Sequence, residues 1–62
     1  MVNVHAIPWA TIHVDGGVIG ETPLVGVPLS PGLHVFRAEF PGGRAVVRTI
    51  EISSENRHVS FE

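Results

Sequence analysis

Pro8-Trp9-Ala10-Thr11-Ile12-His13-Val14-Asp15-Gly16-Gly17-Val18-Ile19-Gly20-Glu21-Thr22-Pro23-Leu24 is the stretch that decides the fold. Ala10, Ile12 and Val14 alternate with Thr11 and His13, the period of a half-buried strand. Asp15-Gly16 supplies the φ > 0 positions of a two-residue hairpin turn. Val18 to Glu21 then reads as a short returning strand, and Thr22-Pro23 ends it. A strand, a tight turn and a second strand in so few residues is the signature of an all-β domain.

The same grammar runs outward in both directions. Val2, Val4 and Ala6 alternate with Asn3 and His5 in a strand that Pro8 ends. Pro23, Pro28 and Pro31 leave Leu24 to Leu29 as a short edge piece or extended loop. Leu33 to Phe40 is the longest clear strand, with Phe36, Ala38 and Phe40 on one face and Arg37 and Glu39 on the other. Pro41-Gly42-Gly43 turns the chain, in a loop long enough to adjust around Gly43. Arg44 to Ile52 is β-rich, Ser53-Ser54-Glu55-Asn56 is a polar turn, and Arg57 to Phe61 closes with Val59 and Phe61 on one face. Turns recurring every few residues predict a small six- to seven-stranded antiparallel β-sandwich.

Alternation predicts that Ile12, Val14, Phe36, Ala38, Phe40, Ile50, Val59 and Phe61 are buried together, with Thr11, Arg37, Glu39 and Glu51 solvated. One strand departs from the pattern. If Ile50 and Ile52 face inward, Arg48 does too, while Val47 points out. A β-bulge near Arg48 is the expected remedy, ahead of an arginine that snorkels to the rim.

Composition narrows the function classes. The chain has 62 residues, 44% of them hydrophobic, and no cysteine. A domain this small buries only about 60% of the surface its unfolded chain exposes, so it is expected to be a segment of a larger protein, supported by neighbours. No apolar run approaches the roughly 18 residues of a membrane helix, so direct membrane insertion is not expected. The net charge is −2, with four arginines, no lysine and no basic cluster. Nucleic-acid binding, which needs a basic stripe along phosphates, is set aside.

His5, His13, His34 and His58 fall on four strands with no local pair, and a structural metal site needs four converging ligands. No metal or cofactor is therefore expected. His34 shares the parity of Phe36, which places it at the core edge as a neutral imidazole bonded to a loop carbonyl. Asp15 has no second carboxylate beside it for acid/base work, and its side chain is expected to accept backbone N–H bonds. The serines lack a nucleophile-elbow context, and Gly16-Gly17 opens no helix that would cradle a phosphate. No catalytic constellation can be assembled. Trp9 is expected to cover the open end of the sandwich; exposed, it would serve as a stacking surface or partner hot spot.

The order Pro8-Trp9-Ala10, Asp15-Gly16, Gly20-Glu21-Thr22-Pro23-Leu24, Gly32-Leu33-His34 and Pro41-Gly42 resembles the PEGA domain over nearly the whole chain. The eponymous Pro-Glu-Gly-Ala is here the one-residue-shorter Pro8-Trp9-Ala10, which looks like the variant in myxobacterial kinases. Gly43 replaces the aromatic residue usual after Pro-Gly. The resemblance implies a prealbumin-like sandwich without catalytic function, appended to bacterial Ser/Thr kinases or cell-envelope proteins on the extracytoplasmic side. Its expected work is protein–protein or surface interaction, or spacing of other domains. The alternative is a sensory module binding a small molecule or glycan against Trp9. Candidate interaction residues are Trp9, Val47, Arg48 and Thr49. As an edge, Val46 to Ile50 has no proline and one charge. It would be a template for a protein partner, for neighbouring domains of the parent chain, or for a second copy in a homodimer.

Overall fold

A computed structural model describes residues 1–61. Seven strands follow one another: β1 (Val2–Ala6), β2 (Thr11–Val14), β3 (Gly17–Glu21), β4 (Leu24–Val27), β5 (Gly32–Glu39), β6 (Ala45–Ile52) and β7 (His58–Phe61). They form two sheets, one of order β4-β1-β7 and one of order β3-β2-β5-β6. The expected small β-sandwich is the fold. Every pairing is antiparallel except β1 with β7, which run parallel from Asn3↔His58 to Ala6↔Phe61. A parallel neighbour needs a long crossover, here the rest of the domain, so local turn signals carry no trace of it.

The core lies between the inner faces. Val2, Val4, Ala6, Val59 and Phe61 from the smaller sheet meet Ile12, Val14, Phe36, Ala38 and Ile52 from the larger, and Ala10 and Phe40 close the layer. Seven of the eight predicted core residues are buried. Ile50 is only half-buried and packs against the cluster, while Ile52, two residues on, is fully inside. Both lie on β6, at the margin of the larger sheet, where the smaller sheet covers the inner face incompletely. Thr11 and Glu39 are half-buried rather than solvated, because they face each other across β2 and β5 and Glu39 pairs with His13 and Arg37.

The Asp15-Gly16 turn holds both residues at positive φ, 51° and 87°, as a hairpin whose twist matches its strands demands. The second turn is equally constrained. Gly42 and Gly43 both sit at φ 93°, a backbone region that favours glycine, so a side chain at Gly43 is strained in that conformation as one at Gly16 is.

The bulge expected near Arg48 is absent. The β5–β6 register runs unbroken from Gly32↔Ile52 through Phe36↔Arg48 to Glu39↔Ala45. Extra residues sit elsewhere: Ile19 interrupts the β2–β3 register, and β4 slips against β1 where Gly26 donates to Asn3 Oδ1 at 3.1 Å. Arg48 keeps its inward parity and snorkels, its guanidinium 5.4 Å from the ring centroid of Phe61. An edge position allows this, because the charged head still reaches water.

Candidate functional site

The residues that repeat the motif turn out to hold the sandwich together. Thr22, buried at 9% exposure, accepts the Ala10 N–H on Oγ1 at 3.0 Å and donates its own N–H to the Ala10 carbonyl at 2.9 Å. That reciprocal clasp fixes the ends of β2 and β3. Asp15 clasps the turn to β5. Its N–H donates to the Val35 carbonyl, and Oδ1 accepts the Val35 N–H, both at 2.9 Å. The carboxylate does accept a backbone N–H, as expected, but from a strand twenty residues away along the chain.

His34 completes the clasp: it bonds a loop carbonyl, as expected, and Asp15 is a second acceptor that the neutral-imidazole expectation left out. Its Nδ1 lies 2.6 Å from Asp15 Oδ2 and its Nε2 lies 2.7 Å from the Ser30 carbonyl. Both neighbours are acceptors, so only the imidazolium, with two N–H donors, satisfies them together. The Asp15 carboxylate, then the Ser30 carbonyl, raise the His34 pKa above its ordinary 6.5. The Val35 N–H, then His34, lower the Asp15 pKa below 3.8.

The sign of the pH effect follows. His34 contributes stability that is full below 6.5 and is lost as pH rises through its raised folded value. Asp15 contributes stability that is full above 3.8 and is lost as pH falls through its depressed folded value. The clasp is therefore strongest between those ordinary values. The thermal midpoint should be higher at pH 5 than at pH 8 by a margin that His34→Gln removes. An unchanged margin in that variant would place the pH dependence on another histidine.

With Thr22, Asp15 and His34 engaged in these clasps, the longest open strand edge lies at the margin of the larger sheet. β6 is an edge strand of that sheet, with no proline anywhere along its eight residues. The hydrogen-bond phase is set at its start, where the Phe40 N–H donates to the Arg44 carbonyl at 2.7 Å. In an antiparallel pair, hydrogen-bonded and non-bonded residue pairs alternate. Val46, Arg48, Ile50 and Ile52 therefore bond β5, and the N–H and C=O groups of Ala45, Val47, Thr49 and Glu51 point off the edge, where the Glu51 carbonyl accepts a hydrogen bond from Asn56 Nδ2 at 2.6 Å. The Asp15 N–H to Val35 bond fixes the same phase independently on the opposite side of β5.

The side chains divide between the two faces. Val47 (61% exposed) and Thr49 stand on the outer face, where exposed Val35 and Leu33 of β5 extend the apolar strip. Arg48 lies on the inner side over Phe61, and Arg44 stacks on Phe40 with 4.5 Å between guanidinium and ring centroid. Val47, Arg48 and Thr49 are thus brought to one surface. Arg44, Leu33 and Val35 belong to it although the sequence reading passed over them. Arg44 had a legible signal, since it shares the inward parity of Arg48, Ile50 and Ile52.

Trp9 is not part of that surface. It sits in the β1–β2 connection, 44% exposed beside exposed Ile7. It does not cap the sandwich, because the small side chain of Ala10 takes the buried position. A half-open hollow of about 260 Å³ lies at Met1, Leu29, Pro31, Ile52, Ser53, Ser54 and Arg57, without Trp9 in its wall. The four histidines remain on four strands. His5 and His58 stand diagonally across β1 and β7, and two ligands do not close a tetrahedral site.

A family model, PEGA domain, matches residues 4–62, and the chain belongs to that family. No curated protein and no solved structure matches it.

Proposed function

From membership of the PEGA family as premise, we propose that this domain is a non-catalytic interaction and spacer module whose working surface is the β6 edge. The expected setting is a larger bacterial signalling protein, such as a Ser/Thr kinase, or an envelope protein, with the domain outside the cytoplasm. The observation that carries the reading is the edge itself. An eight-residue strand without proline presents open backbone groups, which single domains ordinarily blunt or cover. The chemistry-bearing side chains of the motif are engaged in the Asp15–His34 clasp, which supports a structural role for them.

Exposed Trp9 favours the second reading, a sensory module that stacks a small molecule or glycan on the indole. The hollow supports it less. At about 260 Å³ it falls below the roughly 300–1,000 Å³ of ligand pockets, and Trp9 does not line it.

Amide hydrogen exchange tests the edge reading. In the isolated domain at low concentration, the N–H groups of Val47, Thr49 and Glu51 should exchange fast and those of Val46, Arg48 and Ile50 slowly. In the parent protein, or with a bound partner, the fast set should slow by about tenfold or more. Uniform protection along β6 in the dilute isolated domain would overturn the open edge. Unchanged fast exchange in the parent would leave the domain a spacer only.

A further inference from the structure

We propose that the occupant of the β6 edge is an extended acidic segment of a partner, carrying two carboxylates four residues apart and adding a fifth strand to the larger sheet. This rests on the edge reading above and names the chemistry of what binds there.

Backbone phase and side-chain parity jointly specify the occupant. Ala45, Val47 and Thr49 offer the main-chain bonds of strand addition, while the Glu51 carbonyl already accepts a hydrogen bond from Asn56 Nδ2 at 2.6 Å and marks the end of the open stretch. The added strand alternates in the same way, so one set of its side chains lies beside Val47 and Thr49 and the other beside Arg44 and Arg48. The two arginines are four residues apart on one side, about 13 Å along a strand. Carboxylates at positions i and i+4 of the incoming chain meet both, whichever direction it runs.

The arginines are already arranged to receive them. Arg44 Cζ lies over the Phe40 ring and Arg48 Cζ over the Phe61 ring, 4.5 and 5.4 Å from the centroids. Stacking on a ring leaves the edge of the guanidinium, with its fork of N–H donors, free for a bidentate carboxylate. Among the described residues Glu39 pairs with His13 and Arg37, and Asp15 pairs with His34. Among those same described residues, neither Arg44 nor Arg48 has a carboxylate within that reach.

The same charges disfavour a second copy as occupant. Two-fold antiparallel pairing of β6 centred on Arg48 sets the two Arg48 side chains directly opposite each other. Centring on Val47 or Thr49 sets them diagonally. Like charges at those positions oppose pairing. Outer-face contacts alone, Val47 and Thr49 against their counterparts, would have to outweigh this repulsion.

Three synthetic peptides decide the matter. Each is a nine-residue Thr/Val-rich strand, with Glu at positions 3 and 7, or Gln there, or Lys there. Binding to the intact 62-residue chain is followed by amide chemical shifts at low and high salt. The Glu peptide should bind about tenfold tighter than the Gln peptide, shift the amides of Ala45 to Glu51, and weaken with salt. The Lys peptide should be weakest. The double variant Arg44→Gln, Arg48→Gln should erase the preference. Val47→Pro should abolish binding of all three, and the folded state of both variants is checked by their amide spectra. If Val47→Pro does not fold, Thr49→Pro removes the next free N–H of the same edge.

Equal binding of Glu and Gln peptides would overturn the acidic partner and leave the open edge standing. So would reversible dimerisation of the chain by ultracentrifugation, blocked by Val47→Pro, with a second copy as the occupant. Failure of every peptide at millimolar concentration, with fast exchange at Val47 and Thr49, would likewise overturn the acidic partner. The exchange experiment separates these results from failure of the edge itself.

Discussion

Phe36→Ala is expected to leave most of the domain unfolded at 25 °C. Phe36 is completely buried at the middle of β5, between Val14 of β2 and Arg48 of β6. Truncating such a side chain removes its transfer free energy and opens a cavity that the surrounding strands cannot close, costing about 3–5 kcal/mol. A domain of this length is worth only about 3–9 kcal/mol in total at typical per-residue stabilities. The loss therefore consumes at least about a third, and up to all, of what holds the chain folded. Phe36→Leu, which keeps most of the volume, should lose far less. Urea titration followed by circular dichroism reads both, and a Phe36→Ala midpoint equal to the parent's would remove Phe36 from the core.

Thr22→Val should be the next most damaging change, by about 1–3 kcal/mol. Valine keeps the branched shape but offers no oxygen to the Ala10 N–H, which Thr22 Oγ1 accepts at 3.0 Å. Ala10 is completely buried, so water cannot replace the lost acceptor without opening the loop. An unpartnered buried donor bears the full desolvation penalty, unlike a pair removed together. Thr22→Ser retains the oxygen and loses only a methyl group. The measurement is the difference in unfolding free energy between the two variants. Equal destabilisation by Val and Ser would show that the methyl group matters and the hydrogen bond does not.

These two substitutions probe different kinds of information in the chain. Phe36 announces its burial through alternation with Arg37 and Val35, a pattern confined to a few neighbouring residues. Thr22 announces only that a strand ends at Pro23. That its hydroxyl reaches Ala10 depends on how β2 and β3 return past each other, including the interruption at Ile19. The candidate surface divides in the same way. Val47 pointing outward and Arg48 pointing inward follow from parity. The shelf beneath Arg48 does not, because Phe61 belongs to the opposite sheet.

What the sequence by itself determined is the local grammar: six or seven strands, the positive-φ turn at Asp15-Gly16, the inward face of the clearly alternating strands and the family. Each depends on side-chain alternation or on backbone conformations that few residues can adopt, and both are properties of adjacent positions. What only the tertiary structure decided is neighbourhood. The parallel pairing of β1 with β7, the placement of β6 at a margin, the exposure of Trp9 and the pairing of His34 with Asp15 all depend on groups distant in sequence. The same distinction explains Arg48. A residue of inward parity requires a bulge in a covered strand, where an unpaired buried charge is prohibitively costly, and none at an edge, where its head reaches water over Phe61. Alternation tells which side of a sheet a residue faces, but only the assembled sheets fix what lies across from it.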